Sequence, residues 1–259
     1  MNYSENDLLY LNGELFSSGF KMKLENNRLW DRTSCILGAV KDKNVLHIGC
    51  CDHIPLIEKK IQNKQWMHGL LDENCKCAIG VDINKKAINY VNSRKFAKNT
   101  VYCTDVSQNG GLDMIPDMDY DFIVLGEILE HVNNPVLFLE GLSNNVKQLK
   151  CAKSVKYIIT VPNVFSVQKR IIRQNIEFIN SDHRYWFTPY TIAKVMICAG
   201  IVPKICLFAS YGKGGNGSFG LTELLYNKLE KIRGVPSKIH SYRGDSLVVF
   251  GINKMVEVE

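Results

Sequence analysis

No run of about 18 apolar residues occurs in the chain, which argues against a membrane-spanning helix. The opening stretch MNYSENDLLYLNGEL has no basic region ahead of an apolar core, so a cytoplasmic protein is expected rather than a secreted one. No basic stripe interleaved with aromatics is present. The net charge of +6 rests on scattered lysines and arginines, which suits an anionic small-molecule substrate and gives no reason to expect nucleic acid. Paired C-x-x-C spacing is missing despite nine cysteines: Cys50 and Cys51 are adjacent, and Cys75 and Cys77 form only a C-x-C. A structural zinc site is therefore not expected. Cys35, Cys103, Cys151, Cys198 and Cys206 sit in or beside apolar runs, where reduced thiols behave as small hydrophobes. Neither an internal repeat nor a low-complexity linker divides the 259 residues.

What the chain does contain is an alternation of apolar strands and helical segments. The stretch NVLHIGCCDH (44–53) reads as a buried strand ending at Gly49, a small polar corner, and a helix that begins near Pro55. Strand, tight turn and helix N-terminus is the layout that receives nucleotide-like cofactors at the carboxyl edge of a parallel sheet. The G-x-G-x-x-G of a dinucleotide-binding first turn is absent there, which weighs against a NAD-dependent oxidoreductase. Further strands are expected at 78–81, 100–103, 120–125, 155–161, 201–208 and 246–252, and the connection from Trp66 to Cys77 reads as irregular. The alternation argues for an α/β fold with a parallel sheet and helices on both faces. Residues 1–43 read as a helical extension or partial lid, and 44–259 as the main domain with a late insertion at about 209–243.

The tips of these strands carry the candidate chemistry. Asp82, at the end of the second strand, suits the two ribose hydroxyls of an adenosine cofactor, or else a helix N-cap. Asp105, with Val106 beside it, suits an adenine amino group and ring, or else simple loop solvation. The strand YDFIVL ends in Gly126 and Glu127 and runs into GEILEHVNNP (126–135). His131 and His183 are each candidates for a general base, because imidazole titrates near neutrality. Arg184 and Lys213 could meet a diphosphate, and Tyr185 and Trp186 could stack on a sugar face or simply pack. No oxygen-ligand cluster demands a divalent ion, so no metal is expected. The Gly-rich stretch 211–220 reads as a flap, with helices expected over 170–178 and 221–232.

These landmarks, in this order, resemble the class I S-adenosylmethionine (SAM) dependent methyltransferases. VLHIGCCDH matches that family's first motif at the strand, Gly49 and Cys50. It departs with His47 where an acid usually sits, and with Cys51 and His53 where glycines usually sit. GEILEHVNNP, ITVPNVFS (159–166) and HRYWFTPYTIAKVMICAG (183–200) are similar to the branch that methylates small molecules. The resemblance implies a Rossmann-like, doubly wound, seven-stranded sheet, mostly parallel with one antiparallel strand at 246–252. It also implies SAM as cofactor, contacted by His47, Gly49, Cys50, Asp82, Ile83, Asp105, Val106, Gly126 and Glu127, with Arg184, Tyr185 and Trp186 toward the acceptor. The LHIGCxDH variant is similar to methyltransferases of bacterial surface-polysaccharide clusters, so the expected acceptor is a sugar or nucleotide-linked sugar. The alternatives are a phosphoramidate-type capsule substituent, a phenol, or a non-catalytic SAM-binding protein. A homodimer is only the base-rate expectation for a soluble enzyme.

Overall fold

The computed structural model describes residues 1–24, 29–166, 179–210 and 244–254. The elements, in chain order, are α1 (Glu5–Asn12), β1 (Trp30–Asp31), α2 (Arg32–Val40), β2 (Asn44–Ile48), α3 (Ile54–Gln62), α4 (Met67–Asn74), β3 (Cys77–Asp82), α5 (Lys85–Ser93), β4 (Tyr102–Cys103), β5 (Phe122–Gly126), α6 (Pro135–Val146), β6 (Lys156–Pro162), α7 (Pro189–Cys198), β7 (Ile201–Ser210) and β8 (Ser246–Asn253). The expected helices over 170–178 and 221–232, the Gly-rich 211–220 stretch and Lys213 lie outside the described residues.

The strands form one sheet of order β1-β7-β8-β6-β5-β2-β3-β4. Val45, Leu46, Ile123, Val124, Leu125, Ile158 and Ile159 are fully enclosed, as expected for strands covered on both faces by helices. β2 pairs in parallel with β3 on one side and with β5 on the other, so the strand order reverses between β2 and β5. In an open α/β sheet that reversal leaves a crevice at the carboxyl ends of the two strands. Here it lies between the turn after Ile48 and the turn after Gly126. β8 runs antiparallel between β6 and β7, as the sequence predicts for the last strand.

Three features depart from expectation. The sheet has eight strands, because Trp30 and Asp31 add a two-residue parallel edge to β7. The strand expected over 100–103 shortens to Tyr102–Cys103. The irregular connection between Trp66 and Cys77 is instead helix α4. The Trp66 indole N–H donates to the Cys50 carbonyl at 3.0 Å, and the ring lies where a Cβ on Gly69 would stand, at 2.9 Å. A glycine inside a short polar segment reads as a break, yet here it lets the helix lie against its own anchor.

The N-terminal segment is tied to the far side of the sheet. Tyr3 Oη donates to the Pro189 carbonyl at 2.7 Å, and Lys194 Nζ donates to the Tyr10 carbonyl at 3.2 Å. α1 is closed by a capping box between Ser4 and Asp7 and ends on Gly13 in the left-handed conformation.

Candidate functional site

The turn after β2 is built around Gly49, whose φ is +68° and whose N–H donates to the Val81 carbonyl at 2.8 Å. A Cβ there would stand 2.7 Å from Cδ1 of Ile128, so both the backbone angle and the close approach of the β5 turn require glycine. Asp82 sits beside this turn. Its Oδ2 accepts from the Cys51 N–H at 2.9 Å and its Oδ1 from the Asn84 N–H at 2.8 Å. The two bonds fix the carboxylate while leaving further lone pairs on each oxygen. Helix capping falls to Asn84, which accepts from the Ala87 N–H, so Asp82 is not the cap of α5. Ile83 follows with 70% of its surface exposed, an apolar side chain standing out of the sheet edge.

β4 places Asp105 near this point, since Cys103 pairs with Asp82 and the Thr104 N–H donates to the Asp82 carbonyl at 3.0 Å. The Asp105 carboxylate also braces its own turn, accepting from the Ser107 N–H at 3.0 Å and the Ser107 hydroxyl at 2.6 Å. Val106 is buried in the main core, so the exposed apolar side chain at this edge belongs to Ile83. Gly49, Cys50, Asp82, Ile83 and Asp105 are thus brought to one edge, where two hydrogen-bonded carboxylates stand near an exposed aliphatic side chain.

Two residues predicted for the cofactor are engaged elsewhere. His47 is 2% exposed, and its Nδ1 stands 3.3 Å from Nδ1 of His68 on α4. Burial, then the neighbouring His68, holds its pKa well below the usual imidazole value, so the ring is neutral and belongs to the packing of α4 on the sheet. Gly80 on β3 makes this possible, because a Cβ there would meet the His68 ring and Cys50 Sγ at 2.8 Å. Glu127, at φ +56°, pairs with Arg32 Nη1 at 3.3 Å and accepts from the Ser246 hydroxyl at 2.9 Å. A left-handed non-glycine residue is a strained position that the surroundings must hold. Those two groups and the bond from the Glu127 N–H to the Thr160 carbonyl hold it.

Across the crevice, residues 182–188 fold over the turn that follows β5. The Arg184 N–H donates to the Glu130 carbonyl at 2.7 Å, the Arg184 guanidinium donates to the His131 carbonyl, and Tyr185 Oη donates to the Asn133 carbonyl at 2.6 Å. Phe187 is buried and anchors the far end of the segment, with the Val164 N–H bonded to its carbonyl at 3.0 Å. His131 and His183 come together edge to face, their centroids 4.7 Å apart, and Trp186 packs edge-on against His183 at 6.0 Å. Burial, then His131, lowers the pKa of His183, which favours its neutral form. An open hollow of about 440 Å3 is lined by His131, Ser181, Asp182 and Arg184. A smaller one of about 170 Å3, bounded by Trp66, Asp72, Phe96 and Lys98, holds none of the predicted site residues.

Glu130 is the residue that sequence reasoning undervalued. It is fully buried, with neither carboxyl oxygen hydrogen-bonded among the described residues, and Oε1 stands 3.9 Å from His131 Nε2. Burial, then the charge of Glu127, pushes its pKa up to about 9. One ligand atom each from Glu130, His131 and His183 fall within 4.8 Å of one another, so these three side chains form a group that could hold a metal ion. The signal was the i, i+1 pair Glu130-His131 beyond a strand tip; its third member lies 52 positions on and only the fold supplies it. Cys50, Cys51 and Asp82 also converge, but both Asp82 oxygens already accept from backbone N–H groups and burial keeps the Cys50 thiol protonated.

Comparison with known proteins agrees with this geometry. Residues 64–148 match the family model described as a methyltransferase domain, Methyltransf_11. No curated protein matches the sequence. The fold is similar to the chain described as the methyltransferase in a complex with the Haloferax volcanii Trm112 methyltransferase activator, with a TM-score of 0.51 and 13% identity over 86% of this chain and 89% of that one. It is also similar to the small RNA methyltransferase HEN1, with a TM-score of 0.50 and 15% identity over 94% of this chain but only 28% of that one. A SAM-dependent methyltransferase from Archaeoglobus fulgidus is 18% identical, with a TM-score of 0.48, over 85% of this chain and 90% of that one. A methyltransferase-domain match over residues 64–148 and this sheet order make the chain similar to the class I SAM-dependent methyltransferases, a similarity that points to SAM as cofactor.

Proposed function

We propose that the chain is an O-methyltransferase whose acceptor is a hydroxyl of a sugar or nucleotide-linked sugar. The observation that carries this reading is the Glu130, His131 and His183 group, set beyond β5 at the same sheet edge as Asp82. An amine or thiolate acceptor needs little help with its proton, whereas a sugar hydroxyl is a poor nucleophile until the proton is managed. Two imidazoles with a carboxyl between α6 and the 182–188 segment are suited to that task. When bound, SAM supplies a methyl group on a sulfonium, which the acceptor oxygen takes as the electron pair returns to sulfur.

The chain's own residues do the positioning. Asp82 and Asp105 would hold the ribose and adenine, and the Gly49 turn would let the backbone approach the methionine half. Tyr185, 36% exposed, offers a face for a sugar ring, and the hollow beside Arg184 gives room for the rest of the acceptor. The net charge of +6 favours an anionic acceptor such as a nucleotide sugar. The test is methyl transfer from isotopically labelled SAM to a panel of nucleotide-linked sugars, phenols and a small RNA. Label on a sugar hydroxyl is expected. Label on the RNA or a phenol alone would overturn the acceptor assignment, and failure to bind S-adenosylhomocysteine would overturn the cofactor site.

A further inference from the structure

We propose that Glu130, His131 and His183 form a site for one divalent transition-metal ion, placed to bind the acceptor hydroxyl. The inference rests on the O-methyltransferase reading and adds the means by which that site handles the proton.

The argument begins with His131. Its Nδ1 lies 3.2 Å from the Asp182 carbonyl oxygen. A carbonyl only accepts, so Nδ1 carries the ring proton and donates it, leaving the lone pair on Nε2. That lone pair stands 3.9 Å from Oε1 of Glu130. Two electron-rich atoms at this separation are too far apart for a hydrogen bond. The spacing is close to the about 4.2 Å that two opposed ligands span across an ion at about 2.1 Å from each. Fixing one histidine nitrogen through a carbonyl so that the other faces inward is also how metal-binding imidazoles are oriented.

Glu130 supplies the second, independent observation. Its side chain is fully buried beside the Glu127 carboxyl, neither oxygen has a hydrogen bond of good geometry among the described residues, and Oε1 faces His131 Nε2. A carboxylate enclosed in this way is costly without a cation. His183 completes the set, with all three ligand atoms within 4.8 Å of one another. A contraction of well under an ångström at each side chain would bring them onto one ion. Arg32 is the guanidinium nearby, but it is paired with Glu127 and Thr160 on the other side of the turn.

Two imidazole nitrogens and one carboxylate oxygen suit Mn2+, Fe2+, Co2+ or Zn2+ better than Mg2+ or Ca2+, which prefer all-oxygen sites. Three protein ligands leave positions open, and the hollow lined by His131, Asp182 and Arg184 gives an acceptor a way to reach them. A hydroxyl bound to such an ion loses its proton to water more readily, and its oxygen keeps the lone pair for bonding to carbon. In this state neither histidine acts as the base.

The test uses the full chain, stripped of metal with a chelator that is then dialysed away. Co2+ titration followed by visible absorption should show one equivalent bound, with a thermal-melting shift. H183A and H131A should each weaken Co2+ binding at least tenfold, and E130Q should abolish the melting shift. Their unchanged affinity for S-adenosylhomocysteine would show that they are folded. Methyl transfer by the stripped protein should be lost and then restored by Mn2+ or Co2+. Co2+ binding that is absent, or that survives unchanged in H131A and H183A, would overturn the site while leaving the methyltransferase reading intact. A protein that binds Co2+ but not S-adenosylhomocysteine would overturn that reading instead.

Discussion

Asp82 is held by two backbone N–H groups before any ligand arrives, which makes it a preorganised acceptor rather than a mobile surface acid. Charge-assisted hydrogen bonds of this kind contribute about 1.5–3 kcal/mol each. D82N should therefore weaken SAM binding roughly tenfold to a hundredfold with little change in melting temperature, as read by calorimetry and thermal denaturation. Equal affinity in the variant would remove Asp82 from the cofactor site. The place of this residue was legible in the sequence: an acid at a strand tip beside a glycine turn, with the alternative of helix capping falling to Asn84 instead. The fate of His47 was not. Its position in the motif pointed to the cofactor, but its partner His68 lies 21 positions away on a helix that the sequence did not reveal. Glu130 was legible only as an acid that, like Glu127, would face the cofactor or orient a partner, because the fold alone brings His183 beside it.

Helix α4 is the element that couples stability to pH. His68 is fully buried, its Nε2 has no partner among the described residues, and burial lowers its pKa to about 4. A group whose folded pKa is depressed stabilises the fold while neutral. For a histidine, that contribution is complete above the unfolded value near 6.5 and is lost as pH falls toward 4. The loss amounts to about 3 kcal/mol at most, with His47 acting in the same direction. H68L should flatten the fall in stability between pH 6.5 and 4 measured by urea denaturation, and a slope as steep as wild type would show that other groups govern it. The segment 182–188 makes the second case at this scale. Its bonds from Arg184 to the Glu130 and His131 carbonyls fix the backbone that carries two of the three converging side chains. R184A should lower turnover about tenfold or more while leaving SAM affinity unchanged, since small misplacements of reacting groups are costly. A variant with wild-type turnover would show that the turn after β5 holds its shape unaided.

Across the whole molecule, the alternation of strand and helix was enough to give the layers and the parallel core, and the antiparallel last strand followed from the resemblance. The short edge β1 was not legible, because two residues carry no periodicity from which to read a strand, while β4 was expected but is shorter than the 100–103 read from the sequence. No helix among the described residues is long and apolar enough to cross a membrane. β8 is bonded along its length to β6 on one side and to β7 on the other, so it lies inside the sheet although it belongs to the last part of the chain. Ending the chain before Ser246 should abolish cooperative melting, and a sharp transition in that truncation would show that β6 and β7 can pair without it. The same placement has a consequence during synthesis. Until Ser246–Asn253 leaves the ribosome, β6 and β7 each lack their shared partner, so the nascent protein carries two unpaired edges open to association for as long as its keystone is still being translated.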